Sequence, residues 1–151
     1  MTRIDKASRD IAVPTERAYA ALVDPDALIQ WLPPEGMSGY FEWFDAGPGG
    51  SYRLVLTYAE GTGGKSTADS DVVDARFVGL DPGERVVQEI DFVSDDPDFT
   101  GTMTMNWSVA PVGDGSRVEI TATDVPVGIT PEDHAAGLAS SLANLAAYLE
   151  R

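Results

Sequence analysis

Residues 102–109, TMTMNWSV, alternate without exception: Met103, Met105, Trp107 and Val109 take one side, Thr102, Thr104, Asn106 and Ser108 the other. Successive side chains of a strand point to opposite faces, so a period of two describes a strand with one apolar and one wet face. Val112-Gly-Asp-Gly follows as a hairpin turn, and 117–125 alternate again, with Val118, Ile120 and Ala122 inward. Upstream, Tyr52, Leu54, Leu56 and Tyr58 share one face of 51–58. Further strands are expected over 39–45, 70–80 and 85–93, the last two split by Asp81-Pro82-Gly83. Short connections between neighbouring strands imply an antiparallel meander.

A sheet with one apolar face needs a cover. The segment that supplies it begins at Pro131, where Leu138, Leu142, Leu145 and Leu149 form one helical stripe widened by Ala135, Ala139 and Ala146. Thr130 is its expected cap, and Glu132 and Asp133 suit the positive end of its dipole. Before the meander, residues 4–13 read as a strand. PTERAYAALV reads as a helix with Thr15 as cap or first-turn residue, broken at Asp24-Pro25. DALIQWL reads as a second short helix stopped at Pro33-Pro34. The expected fold is α+β, one domain over 1–151, with no internal repeat or linker.

Composition excludes several functions. The chain has no cysteine and one histidine, His134, so disulfides, thiolate chemistry and multi-histidine metal sites are absent and no cofactor is expected. A formal charge of −15 repels phosphate backbones and anionic membrane surfaces. No segment has the length of a membrane span or a signal-peptide core, so a cytoplasmic protein is expected, without nucleic-acid or membrane partners.

One stretch comes within a residue of a phosphate-binding loop. In AEGTGGKST (59–67), Gly64, Lys65 and Ser66 match G-x-x-x-x-G-K-[ST], but Ala59 replaces the first glycine. A phosphate loop hands over to a helix N-terminus. Here TADSDVVDARFVGL follows, β-rich, with Asp69, Asp71 and Asp74, whose charge opposes a phosphate. The stretch is read as the turn of a hairpin. The three aspartates do not fit a calcium-loop spacing, and 94–98 read as a solvated turn.

Four stretches in order resemble the START-like, helix-grip (SRPBCC) superfamily, in the branch named after the activator of the heat-shock protein 90 ATPase. VPTERAYAALVDPDALIQWLPP resembles the opening, with Trp31 as its tryptophan; FDAGPGGSYRL resembles the Asp-x-x-x-Gly-Gly-x-Tyr turn. ARFVGLDPGERVVQEIDF resembles the hairpin built on Pro-x-Arg, and HAAGLASSLANLAAYLE the final helix. The resemblance implies a curved antiparallel sheet of about six to seven strands gripping the last helix, with an apolar cavity between them. The tryptophan common in the family's last helix is Leu138 here, which leaves more room. The superfamily shares no catalytic motif. The namesake's co-chaperone activity relies on a further domain that these residues do not contain.

Binding of a small hydrophobic or amphipathic ligand is the leading expectation. Met103, Met105 and Trp107 suit an adaptable wall, with plain core as the alternative for each. Trp31 stands at a cavity mouth or a core edge; Tyr52 and Tyr58 offer hydroxyls, and Tyr40, Leu56, His134 and Leu138 complete the set of candidate ligand-binding residues. The alternative is an enzyme of cyclase, hydratase or lyase type with His134 or Glu42 as proton-transfer group. His134 needs a partner, for which Glu42, Tyr40 and Asp91 are open, and its other reading is a half-solvated residue at a helix start. Glu42 faces inward if Tyr40 and Phe44 do, and outward if Phe41 and Trp43 face in. A third class is a chaperone-regulating interaction module, and a homodimer is a further expectation.

Overall fold

A computed structural model describes residues 3–33, 36–58, 70–92, 96–99 and 101–150. Strand β1 (Ile4–Ile11) leads to helices α1 (Thr15–Val23) and α2 (Pro25–Trp31). Six strands follow: β2 (Met37–Phe44), β3 (Ser51–Tyr58), β4 (Ser70–Asp81), β5 (Arg85–Phe92), β6 (Thr102–Val112) and β7 (Gly115–Thr123). A single 3₁₀ turn at Pro97–Phe99 lies between β5 and β6, and α3 (Pro131–Leu149) comes last. The sheet order is β1-β7-β6-β5-β4-β3-β2, and every neighbouring pair is antiparallel. The fold is therefore α+β: one seven-stranded open sheet with two short helices after its first strand and one long helix after its last.

The chain's local chemistry explains most boundaries. Thr130 caps α3, its hydroxyl accepting the Asp133 N–H at 3.1 Å. Asp24-Pro25 does more than end α1: Asp24 caps α2 by accepting the Asp26 N–H at 3.0 Å, and Pro25 takes the first helical position. Thr15 does not cap α1. Thr15 is instead the first-turn residue: Pro14 occupies the cap position, and its ring has no oxygen to accept a bond there. Strand β6 runs on to Val112, past the strict alternation, because Pro111 and Val112 still pair with Ser116 and Gly115 across the hairpin.

The inner sheet face follows the period of two. Val86, Gln88 and Ile90 of β5, Met103, Met105, Trp107 and Val109 of β6, and Val118, Ile120 and Ala122 of β7 are buried together. From above, α3 contributes Leu138, Leu142, Leu145 and Leu149. Two tethers fix its C-terminal end: the Ala12 N–H donates to Glu150 Oε2 at 2.9 Å, and Arg17 donates to the Leu149 carbonyl at 3.1 Å. Ser116 closes the β1 corner, donating from its hydroxyl to the buried Val13 carbonyl at 2.6 Å.

The alternation breaks in β2. Phe41 pairs with Leu54 and Trp43 with Arg53, so Glu42 is an extra residue, a β-bulge. The bulge turns Phe41 and Phe44 to the same side, where both rings meet Tyr52 at 5.2 and 5.4 Å. Neither simple phase of this strand is correct: Tyr40 and Trp43 are both exposed.

Candidate functional site

Between the inner face of the sheet, α2 and α3 lies a cavity of about 500 Å³. Its sheet wall comes from four strands: Tyr52, Leu54 and Leu56; Val73; Val86, Gln88, Ile90 and Phe92; Met103, Met105 and Trp107. Opposite stand Leu28, Trp31 and Leu32 around α2, and His134, Gly137, Leu138 and Ser141 on α3. Phe99, Gly128 and Ile129 complete it from the loops, where the Gly128 N–H donates to the Asp98 carbonyl at 2.7 Å. A Cβ at Gly128 would lie 2.7 Å from the Phe99 ring, so glycine is what lets the two loops meet.

Trp31 is neither at a mouth nor at a core edge. It is fully buried, its indole N–H donating to the Ala21 carbonyl at 3.0 Å, with Trp107 edge-on at 5.4 Å. This pair forms a rigid apolar part of the wall.

Polar groups in the cavity are few. Buried Gln88 donates an amide N–H to the Tyr52 hydroxyl over a long 3.4 Å. Tyr52 is packed among Phe41, Phe44 and Phe77, and this burial pushes its phenol up to about 12 against the opposing pull of the Gln88 bond. The group is therefore a neutral hydroxyl at physiological pH. Ser141 spends its hydroxyl on the Leu32 carbonyl at 3.1 Å.

His134 sits in the first turn of α3 with only 12% of its side chain exposed. Its Nδ1 lies 2.6 Å from Asp5 Oδ2. Asp5 is held in turn by the Arg3 guanidinium, through Nε at 3.0 Å and a terminal nitrogen at 2.7 Å. The Arg3 N–H bonds lower the Asp5 carboxyl below its usual range, desolvation works against them, and the His134 bond adds to the lowering. A carboxylate can only accept, so Nδ1 is the donor of this bond and, in the neutral ring, Nε2 is the acceptor.

Of the residues singled out from sequence, Trp31, Tyr52, Leu56, Met103, Met105, Trp107, His134 and Leu138 all border this cavity. Tyr40 does not. It is 53% exposed on the opposite face of β2, placed there by the phase on its side of the bulge. Glu42, the bulged residue, also lies outside, with Arg53 at 3.9 Å, and takes no part in the cavity. Asp91 is bound to Thr102 at 2.6 Å and Arg76 at 2.8 Å, so none of the three partners considered for His134 is its partner. Tyr58 pairs through its backbone with Met37, and its side chain lies outside the described residues, as do 59–67 and Asp69. Asp74 is paired with Arg53 at 2.6 Å. Among the described residues no group of three or more His, Asp or Glu could hold a metal ion.

Sequence reasoning missed Gln88 and Asp5. Gln88 was within reach, since Val86 and Ile90 flank it at the strand period. Asp5 was not: it meets His134 across 129 positions.

An open seven-stranded antiparallel sheet, a long C-terminal helix and a cavity between them define a protein of the helix-grip class. The chain belongs to the family described as Activator of Hsp90 ATPase homolog 1-like protein, whose family model matches residues 12–150. Among solved structures it is similar to protein CV1439 from Chromobacterium violaceum, with 32% identity, a TM-score of 0.87, and coverage of 98% of this chain and 97% of that one. The AHSA1 protein SPO3351 from Silicibacter pomeroyi shares 23% identity at a TM-score of 0.80, with 98% of each chain covered. DynU16, a putative protein in the dynemicin biosynthetic locus, has the same fold at 18% identity and a TM-score of 0.69, over 97% of this chain and 47% of that one. No curated protein matches. No helix among the described residues is long and apolar enough to cross a membrane.

Proposed function

We propose that the chain binds a small hydrophobic or amphipathic molecule between the sheet and α3. The observation that carries this reading is the cavity of about 500 Å³, inside the roughly 300–1,000 Å³ range of small-molecule sites. Its walls are mostly aromatic, aliphatic and methionine side chains, with the Tyr52–Gln88 pair, Ser141, His134 and Asp133 as the polar points. Such a site takes most of its affinity from apolar burial and its orientation from the few polar groups. Among the described residues the walls carry no lysine or arginine, so they offer no counter-ion to a carboxylate or phosphate. With a formal charge of −15 on the chain and Asp133 on the wall, an anionic ligand is disfavoured.

Native mass spectrometry of freshly purified protein, followed by a screen of neutral metabolites using Trp31 and Trp107 fluorescence, tests the proposal. A bound mass, or saturable quenching that is lost in Trp107→Ala, supports it. Protein that is empty and silent across the screen overturns it.

A further inference from the structure

The geometry points to a proton-transfer centre in this cavity: His134 acts as general base on a neutral carbonyl compound, and Tyr52 and Gln88 hold the oxygen on which negative charge develops. The inference rests on the ligand-binding reading and adds chemistry to it.

The argument starts from how His134 is held. Nδ1 is engaged by Asp5 at 2.6 Å, and Asp5 is gripped by the fork of Arg3. This arrangement fixes tautomer and ring orientation together, and leaves the Nε2 lone pair to a side chain that borders the cavity. The charged groups around His134 are Asp5, bonded to it, and Arg3, bonded to Asp5; Glu132 and Asp133 precede it in the first turn of α3, Asp133 also lines the cavity, and Glu132 interacts with Arg3. Asp5 and Arg3 are positioning residues, since they act through the ring.

The sheet wall supplies the complementary half. Gln88 donates to the Tyr52 oxygen, which leaves the Tyr52 O–H free to donate onward, and burial keeps that phenol protonated. Donors aimed at a developing oxyanion in a dry site are worth far more than in water. The step balances without oxidant or reductant. Nε2 takes a proton from the carbon beside the carbonyl; the C–H bond breaks and an N–H bond forms. The electron pair passes to the carbonyl oxygen as an enolate bonded by Tyr52 and Gln88. The imidazolium trades its Nε2 proton with solvent and returns one, in D₂O a deuteron, to the same carbon, giving exchange, or to another carbon conjugated with it, giving isomerisation.

The test uses 2-tetralone, a neutral ketone with acidic α-hydrogens, in D₂O. Loss of the α-proton signal is followed by ¹H NMR, and occupancy by quenching of tryptophan fluorescence. Wild-type protein is expected to accelerate exchange by about 10²–10⁴-fold, the usual contribution of a positioned base, and His134→Gln to lose this while still binding the ketone. Asp5→Asn should lower kcat with KM little changed, and Asp5→Glu should restore part of it, a split that a merely structural contact would not produce. If His134→Gln folds poorly, Tyr52→Phe takes its place, with binding kept and rate lost. Equal rates in wild type and His134→Gln, or binding without acceleration, overturn the base and leave the ligand-binding reading standing. A ketone that does not bind overturns the substrate class, and with it the proton-transfer centre, while the metabolite screen still decides the binding reading.

Discussion

Leu138 and Leu142 lie one turn apart on α3, buried to 5% and 1% exposure, yet only Leu138 borders the cavity. Truncating each to alanine therefore separates transfer from packing. Either change removes three carbon groups, about 2.4 kcal/mol at roughly 0.8 kcal/mol each. Around Leu142 the interior is filled, so truncation also leaves a void. At roughly 24 cal/mol per Å³, a void of about 80 Å³ adds about 2 kcal/mol, for a total near 4 kcal/mol. Leu138 already faces open space on one side, where there are no contacts to lose. Its truncation should cost about 2 kcal/mol, roughly half as much. Urea unfolding of ligand-free protein measures both, with equal slopes as the check that only stability has changed. In a chain of this length the difference corresponds to about 4–8 °C in Tm. Equal losses, or a larger loss at Leu138, would refute the reasoning, because they would mean that the cavity is closed in solution.

The opposite change, Leu138→Trp, places in α3 the residue that the family resemblance leads one to expect. It should fill the cavity and weaken ligand binding at least tenfold with the fold intact, as read by titration and circular dichroism. Gly115→Ala puts a Cβ 2.5 Å from the Ile11 carbonyl; backbone cannot swing aside as a side chain does, so a loss of about 1–3 kcal/mol is expected in urea unfolding. Ser116→Ala strands the buried Val13 carbonyl and should cost about 1–3 kcal/mol by the same assay. The Asp5 carboxyl is lowered in the folded state, first by the Arg3 bonds, from an ordinary value of 3.8. Its contribution is therefore complete above that value and is lost as pH falls through the lower folded one. Stability measured from pH 5 down to pH 2 should fall less steeply in Asp5→Asn than in wild type.

Local pattern alone determined the strands and the last helix. TMTMNWSV and the leucine stripe of α3 each repeat at the period of one element, and Thr130-Pro131 marks the helix start by capping chemistry that acts within four residues. The same periods brought Met103, Met105, Trp107 and Leu138 onto faces that the fold then turned toward one another. Where the period broke, sequence reasoning lost its grip. The extra residue at Glu42 turns Phe41 and Phe44 to one side and sends Tyr40 and Glu42 to the other, which no regular alternation can express. A bulge is chosen by the partner strand and by the rings that pack on it, here Tyr52 of β3. Tertiary structure alone also decided the partner of His134. Asp5 stands at the far end of the chain and meets the histidine because β1 forms one edge of the sheet beneath the start of α3. Secondary structure is written in neighbours a few positions apart. A hydrogen bond between the first strand and the last helix exists only once β1 has paired with β7, the strand that leads into that helix.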